Sequence, residues 1–309
     1  MRNAFIHSLI EEARRNKDIF LITPDLGFSV LEKFAEEFPD RFLNVGIAEQ
    51  NAIGVASGLA ISGKVVYVYS IIPFVTMRCF EQVRIDVAYM NSNVRLVGVG
   101  AGLSYGPSGA THHAIEDIAI MRALPNMTVC CPGDPLEVRQ ILKESVQYQG
   151  PMYIRLAKSG EPQIHSNDTE VKIGKAIVVC EGEDLAILAT SNMLETAYKV
   201  TCSLKEKGIH CCLISVPTLK PFDYQTINEL INRNIPIVTL EEHSVIGGLG
   251  SIVAEQIAES GKGVKFKRLG IPDSYSHYVG SHVYLREKFR LSENQIITTL
   301  ESFIYKKTL

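Results

Sequence analysis

Glu49 is the residue of this chain whose type and position most clearly suggest chemistry. It stands at the start of a predicted helix that is otherwise small and apolar, with residues such as Ile53 and Ala56, so we expect the helix to be buried. Gly54 and Gly58 leave room for another backbone or a flat ligand. A carboxylate in apolar surroundings can share a proton with a ligand nitrogen. Acids are also common in first turns, where they face the exposed N–H groups, so this segment alone favours a structural role.

A second candidate follows the next predicted strand, in the run from Tyr69 to Phe74. Ligands of open α/β sheets gather at the carboxyl ends of the strands. Phe74 comes directly after Pro73, at the start of a predicted helix over 74–90, and could stack against an aromatic ring. The alternative is a core phenylalanine that packs at the helix start, which the run alone favours.

A Gly-rich loop after the third predicted strand delivers two histidines, His112 and His113. A loop of this length is costly to order unless it is used. The histidines precede a predicted helix over 115–123, whose dipole favours the neutral imidazole. A neutral histidine can bond a substrate oxygen or accept a proton. Helix capping by Thr111, with the histidines as polar filler, is the alternative, and the length of the loop favours function.

Arg155 lies at the end of another predicted strand, close to Lys158. A charge at the carboxyl end of a strand suits a phosphate or a carboxylate. A surface ion pair explains the residue equally well.

A turn in the second half, over 241–250, resembles a phosphate-binding loop, but it lacks the Gly-x-Gly-x-x-Gly pattern. Two acids, Glu241 and Glu242, precede it and argue against a bound anion. We therefore expect a structural turn or a subunit contact there.

The composition is that of an ordinary globular protein. The chain has 309 residues, 46% hydrophobic and 21% charged, with a net charge of -3 and no basic cluster, so we expect no nucleic-acid partner. The N-terminus lacks a signal-peptide core, and no apolar run reaches the length of a membrane span. The seven cysteines show no metal-ligand spacing, so we expect no metal site in this chain and a reducing, cytoplasmic setting.

Strand-like and helix-like segments alternate along the whole chain. The strands are apolar throughout, as in parallel sheets that helices cover on both faces. Residues 161–175 are polar and predict a linker. We therefore predict an α/β protein with two consecutive open, mostly parallel sheets flanked by helices, in domains over 1–160 and 176–309.

In combination and in order, these motifs resemble the C-terminal half of the transketolase family of thiamine diphosphate enzymes. The matching pieces are 41–50, 69–74, 109–112, Arg155 and 241–250. The resemblance covers nearly the whole chain and implies a pyrimidine-binding (Pyr) domain followed by a transketolase C-terminal domain. Deoxyxylulose-phosphate synthases and the β subunits of 2-oxo-acid dehydrogenases share parts of the set.

The resemblance implies a role for each candidate. Glu49 matches the glutamate that bonds the N1′ atom of the aminopyrimidine, and Phe74 matches the aromatic residue that stacks on this ring, with Tyr69 nearby. His112 matches the histidine that binds sugar hydroxyls and assists proton transfer. Arg155 matches the arginine that holds the sugar phosphate.

The chain departs from the family pattern in the Gly-rich loop. Ser108 stands where the family usually carries an acid that contacts a sugar hydroxyl, which leaves the preferred sugar open. Gly100 and Ala101 stand where full-length transketolases carry a further histidine.

The chain also lacks the Gly-Asp-Gly motif and later Asn of the diphosphate- and Mg²⁺-binding domain. Because Met1 opens directly into an amphipathic helix, we expect a whole subunit rather than a fragment. The resemblance then implies a split transketolase, in which a separate N-terminal subunit carries most of the Mg²⁺ and diphosphate site. We expect a heterotetramer with twofold symmetry and self-association of this chain through its two domains.

The leading functional hypothesis is the transfer of a two-carbon ketol unit between phosphorylated sugars, with thiamine diphosphate as cofactor. A deoxyxylulose-phosphate synthase-like subunit or a 2-oxo-acid dehydrogenase β-like subunit is the enzymatic alternative, and turnover of pyruvate would select it. A non-catalytic, partner-binding homologue is a third hypothesis. The joint presence of Glu49, Phe74 and His112 argues against it.

Overall fold

The computed structural model of the chain describes residues 1–158 and 160–305, which form two open sheets covered by helices. Ser159 in the first predicted domain and 306–309 in the second lie outside the described residues. The strands are β1 (Ile19–Thr23), β2 (Phe42–Asn44), β3 (Val65–Ile71), β4 (Val94–Val99), β5 (Thr128–Cys130), β6 (Met152–Leu156), β7 (Ile177–Cys180), β8 (Leu185–Ala189), β9 (Cys211–Ser215), β10 (Thr218–Lys220), β11 (Ile237–Ser244) and β12 (Phe266–Ile271).

The first sheet has the strand order β10-β5-β6-β4-β3-β1-β2 and is parallel except at β10. Its register places Ser70 beside Gly98, and Gly98 beside Arg155, so the carboxyl ends of β3, β4 and β6 meet at one edge. These three strands are buried almost throughout, which explains their continuous apolar pattern.

The second sheet has the order β12-β11-β8-β9-β7 and is parallel except at β7. The predicted fold class, two consecutive open and mostly parallel sheets, is confirmed. The two halves also share a sheet edge, because Thr218 of β10 pairs antiparallel with Cys130 of β5. The sequence pattern does not reveal β10, which is only three residues long. The domain limits 1–160 and 176–309 stay predictions.

The helices cover both faces of the sheets. The α-helices span Arg2–Arg15, Glu32–Glu37, Glu49–Ile61, Phe80–Gln82, Asp117–Ala123, Pro135–Gln147, Leu194–Glu206, Tyr224–Asn232, Leu249–Glu259, His282–Lys288 and Glu293–Tyr305. Within residues 1–158 and 160–305, no helix combines the length and the apolar character needed to cross a membrane. The predicted helix over 115–123 begins two residues later, at Asp117, and ends at Ala123 as predicted.

The predicted helix over 74–90 is helical, but two stretches of it, Phe74–Arg78 and Val83–Tyr89, are wound as π-helix. A π-helix takes an extra residue in each turn and is frequent at functional sites. This winding changes which side chains of the segment face the sheet edge.

Only one side of the helix Glu49–Ile61 is buried in the single chain. Gly54 and Gly58 lie on the exposed side, and a Cβ atom at either would meet nothing within 4 Å. Ile61 on the same helix is 69% exposed. The expectation of a fully buried helix is therefore wrong for this chain on its own, and the side that carries the glycines is open to another chain.

Candidate active site

Three residues singled out from the sequence meet at the carboxyl edge of the first sheet. The guanidinium of Arg78 bonds the carboxylate of Glu49 and lies over the ring of Phe74, which in turn faces the ring of His112. An acid, an aromatic face and an imidazole thus share one surface. This is the edge at which open α/β sheets bind ligands.

Glu49 is 4% exposed and is the first residue of its helix. The residue before the helix is Ala48, whose side chain makes no capping bond, and Glu49 lies in the first turn, as the structural alternative expects. Its Oε1 atom accepts a 2.7 Å hydrogen bond from Nη1 of Arg78. The carboxylate is therefore paired with a guanidinium at this edge of the sheet.

Phe74 starts the π-helical segment that follows β3. Its ring centroid lies 4.1 Å from the guanidinium carbon of Arg78, a cation–π distance. The ring of His112 lies 5.2 Å away, edge to face at 69°. Phe74 is half-buried, so its ring is presented at the sheet edge rather than enclosed in the core.

His112 lies in a turn of the Gly-rich loop, with Nδ1 2.9 Å from the hydroxyl of Thr111. The following helix begins only at Asp117, so the predicted position at a helix start is wrong. Partial burial, together with the positive charge of Arg78, lowers the pKa of His112 below its ordinary 6.5. The imidazole is therefore neutral at pH 7, but for a different reason than the predicted helix dipole.

His113 points into the protein and is 3% exposed. Its Nε2 atom lies 3.4 Å from the carbonyl oxygen of Gly106, and its Nδ1 atom has no partner among the described residues. Burial lowers the pKa of His113 as well. This histidine holds the loop and does not join His112 on the open surface.

Tyr69 is a core residue of β3. It is 1% exposed and stacks on Phe5 at a centroid distance of 5.8 Å. Burial raises the pKa of its hydroxyl, which has no hydrogen-bond partner within the described residues. Its predicted contact with a cofactor stays a prediction.

Ser108 is exposed on the same loop as His112. Its backbone N–H donates a 2.8 Å bond to the carbonyl of Tyr105, and its own carbonyl lies 3.5 Å from the hydroxyl of Thr111. The side chain is left facing solvent. Its predicted substrate contact is therefore sterically open and stays a prediction.

Arg155 is buried between the two halves of the protein. It is 0% exposed and pairs with Asp117, with 2.8 Å between Nε and Oδ2. Its other bonds go to the hydroxyl of Ser191 and the carbonyls of Ala114 and Glu242. A phosphate cannot reach this guanidinium, so we correct the prediction that Arg155 holds the sugar phosphate. The residue has a structural role, and the alternative of a surface ion pair is also wrong because the pair is buried.

Lys158 is a second cation near the site and lies two residues beyond the end of the strand that contains Arg155. Its Nζ atom lies 4.7 Å from the ring centroid of Tyr105, and that ring lies 6.0 Å from the ring of His112. No ion pair involves Lys158 within the described residues. The signal in the sequence was its place three residues after Arg155. For Arg78 the signal was its place four residues after Phe74, which puts both side chains on one side of a helical turn.

The turn over 241–250 is structural, as expected. Glu241 accepts 2.8 Å bonds from the backbone N–H groups of Leu249 and Gly250 and so caps the helix that follows. Burial raises the pKa of Glu241 to about 7, although these two bonds favour the charged form. No room is left for an anion at these N–H groups.

The cysteines, which all lie in the described part of the chain, form no disulfides, and burial makes several of their thiols hard to ionise. All seven are free thiols, and burial raises the pKa of Cys130 and Cys211 to about 12. Across the part of the chain that the structure describes, no three His, Cys, Asp or Glu side chains are grouped so that they could hold a metal ion.

Comparison with known proteins accounts for both halves of the chain. Residues 1–162 match the family described as transketolase, pyrimidine binding domain, and residues 174–296 match transketolase, C-terminal domain. An apulose-4-phosphate transketolase subunit of Phocaeicola vulgatus is 38% identical over 307 residues, which are 99% of this chain and 97% of that protein.

Two further similarities agree with this match. The putative transketolase C-terminal section of Methanocaldococcus jannaschii is 40% identical over 278 residues, 89% of this chain and 87% of that protein. A solved structure described as a split gene transketolase, inactive beta4 tetramer, superposes with a TM-score of 0.89 at 36% identity, covering 99% of this chain and 98% of that one.

Proposed function

This chain belongs to the transketolase family, and we propose that it is the subunit of a split transketolase that holds the pyrimidine end of thiamine diphosphate. With its partner it transfers a two-carbon ketol unit between phosphorylated sugars. The observation that carries the proposal is the arrangement of Glu49, Phe74 and His112 on one open edge of the first sheet, joined by Arg78.

The residues at this edge fit an aminopyrimidine ring. A guanidinium already lies between the carboxylate of Glu49 and the face of Phe74, so the space accepts a flat group that carries N–H donors. Glu49 holds a proton at the pyrimidine nitrogen, and Phe74 packs against the ring. Thiamine diphosphate, when bound, supplies the carbanion-stabilising chemistry of the reaction.

His112 is suited to bind and orient the sugar. Its pKa lies below 6.5, so at neutral pH the ring can accept a proton at one nitrogen and donate a hydrogen bond from the other. Thr111 lies 2.9 Å from Nδ1, which leaves Nε2 for a substrate hydroxyl or carbonyl. The exposed hydroxyl of Ser108 on the same loop is placed to contact a second sugar hydroxyl.

Lys158 is the residue that we assign to the sugar phosphate in place of Arg155. It lies 4.7 Å from the ring centroid of Tyr105, which neighbours His112, and is partly exposed, whereas the Arg155 guanidinium is enclosed. A lysine binds phosphate as a point charge. The relative named for apulose-4-phosphate acts on a phosphorylated sugar, which supports an anionic substrate group.

The partner subunit supplies the diphosphate and Mg²⁺ site in this proposal. One relative is named as a subunit of its transketolase and another as a C-terminal section, which supports a separate N-terminal chain. Ile47 next to Glu49 is 79% exposed, and Ile61 at the far end of the same helix is 69% exposed, so an apolar surface adjoins the site. We propose a twofold heterotetramer in which this chain also contacts its own copy, in a reducing cytoplasm that suits its free thiols.

Reconstitution tests the proposal. The chain is mixed with a candidate N-terminal subunit, thiamine diphosphate and Mg²⁺, and transfer from a ketose phosphate to an aldose phosphate is measured. We expect activity only with both chains, and a loss of at least about 100-fold for Glu49→Gln, since one proton-transfer group typically contributes that much. Glu255→Gln, on the surface, is the matched control. Turnover of pyruvate but not of ketose phosphates would favour the synthase-like or dehydrogenase-like alternative instead.

A further inference from the structure

Arg78 contacts both of the side chains, Glu49 and Phe74, that the proposed function assigns to binding of the cofactor ring. Its Nη1 atom donates a 2.7 Å hydrogen bond to Oε1 of Glu49, and its guanidinium carbon lies 4.1 Å from the ring centroid of Phe74. The proposed function gives this arginine no role. A flat cationic donor therefore already fills the space between the carboxylate and the aromatic face.

The pairing has a clear physical cause. Glu49 is 4% exposed, and a buried carboxylate without a partner is costly. Arg78 supplies the opposite charge, and its stacking on Phe74 adds a cation–π attraction. The arginine thus stabilises an acid that would otherwise be buried alone.

The arginine side chain is also free to leave. It is 46% exposed, so it can turn out into solvent without opening the core. Its backbone is held independently, because Nε2 of Gln50 lies 3.3 Å from the carbonyl oxygen of Arg78. A side-chain rotation is therefore enough to vacate the space.

We infer that Arg78 is an internal competitor of the cofactor, whose guanidinium fills the proposed pyrimidine pocket and must turn out before the ring binds. The inference deepens the proposed function and rests on it, since it concerns the same pocket. A guanidinium and an aminopyrimidine are both planar, both form a hydrogen bond with a carboxyl group and both stack on an aromatic face. They cannot occupy one face of Phe74 together.

Competition of this kind has a measurable consequence. The apparent affinity for the cofactor is the intrinsic affinity reduced by the fraction of subunits whose pocket is open. If about one subunit in ten has Arg78 turned out, the wild type binds about tenfold more weakly than a chain without the guanidinium. If Arg78 instead helped to hold the cofactor, removal of its guanidinium would weaken cofactor binding.

The test is calorimetric titration of thiamine diphosphate, with Mg²⁺, into the complex of this chain and its partner subunit. We expect Arg78→Gln to lower the dissociation constant by about tenfold. Arg84→Gln is the matched control, because Arg84 lies on the same helical segment but pairs with the exposed Glu81 at 3.0 Å. The control is expected to bind like the wild type.

Each other outcome counts against the inference. Weaker or unchanged binding by Arg78→Gln overturns it and leaves the proposed function standing, because the wild type still binds the cofactor. Failure of the wild type and of both variants to bind overturns the inference and the proposed function together. If Arg78→Gln does not fold, Arg78→Lys keeps a charge beside Glu49 and removes the planar group over Phe74. Its binding should be tighter than wild type, and unchanged or weaker binding again overturns the inference.

Discussion

The carboxylate of Glu242 accepts a 2.6 Å hydrogen bond from the backbone N–H of Leu103. Glu242 belongs to β11 in the second sheet, and Leu103 belongs to the loop that carries His112. The same carboxylate also bonds His282 and Arg286. The second half of the protein therefore holds the loop that carries His112 in place.

Glycine is required at the point of closest approach. Gly102 has a φ of +61, and a Cβ atom there would lie 2.4 Å from Oε1 of Glu242. Both the backbone conformation and the contact with the carboxylate exclude a larger side chain. The Gly-rich composition of the loop is thus explained at this position by packing between the two halves.

We predict that Glu242→Gln destabilises the chain by about 3 kcal/mol, because it leaves the charge of Arg286 without its counter-ion and weakens the hydrogen bond with His282. Arg286 and His282 hold the pKa of Glu242 well below 4.5 in spite of its burial. The charge of Glu242 therefore contributes fully to the free energy of unfolding above pH 4.5. This contribution is lost as the pH falls further, through the lower pKa that Glu242 has in the folded state. Urea unfolding at several pH values should show the difference between the variant and the wild type shrinking below pH 4.5.

Amide hydrogen exchange tests whether Glu242 holds the loop that contains Leu103. The amide of Leu103 should exchange faster in Glu242→Gln, since its acceptor is weakened. The control is Glu255→Gln, which removes only a surface pair with Arg122. Equal protection of Leu103 in all three proteins would show that Glu242 does not hold the loop.

Arg155→Met is predicted to cost about 3–5 kcal/mol of stability, because it leaves Asp117 buried without its partner. Asp117 is 0% exposed, and among the residues that the structure describes it keeps a 2.6 Å bond from the hydroxyl of Tyr153. Arg233→Met, which breaks an exposed pair with Glu183, should cost under about 1 kcal/mol. Chemical denaturation compares the two. A variant at Arg155 with normal stability but weakened binding of sugar phosphate would restore the role that we have withdrawn from it.

Lys158→Gln should raise the KM for a phosphorylated sugar by roughly tenfold and change kcat little, since it removes one charged contact to a remote group of the substrate. Higher salt should reduce this difference because the site is open to solvent. Lys199→Gln, in a surface pair with Glu195, serves as the comparison. A fall in kcat with no change in KM would place Lys158 outside the phosphate site.

The titration of His112 should respond to Arg78. Burial and the charge of Arg78 both lower the pKa of His112. Removal of the positive charge favours the imidazolium, so Arg78→Gln should move this pKa part of the way up towards 6.5. An NMR titration of the imidazole protons measures the shift. A lower pKa in the variant would contradict the spatial relation described here.

The sequence singled out Glu49, Phe74 and His112, which the structure brings together at one edge of the first sheet. Phe74 and His112 follow the buried strands β3 and β4, whereas Glu49 follows the short, largely exposed strand β2. The carboxyl ends of such strands must share an edge, so order along the chain becomes proximity in space. The bounds of most helices and strands follow from the apolar periodicity along the chain. The resemblance to a known family was needed to assign chemical roles to these residues.

Arg155 shows what the sequence pattern could not supply. Its partner Asp117 lies 38 positions away on a helix, and the two carbonyls that it bonds come from both halves of the protein. Burial of a charge depends on this tertiary arrangement, whereas a strand-end position is local. The π-helical winding of Phe74–Arg78 is likewise a result of packing, which helical periodicity of 3.6 residues does not predict, although the four-residue spacing already places Arg78 and Phe74 on one side of a helical turn.

The most direct test of the whole account is the ketol-transfer rate of the reconstituted pair of subunits with Glu49 intact and with Glu49→Gln. We expect ketol transfer only when this chain, its partner and thiamine diphosphate are together. We also expect the transfer rate of the Glu49→Gln complex to fall by at least about 100-fold while the complex still assembles. Transfer by this chain alone, or a variant complex as active as the wild type, would contradict the account.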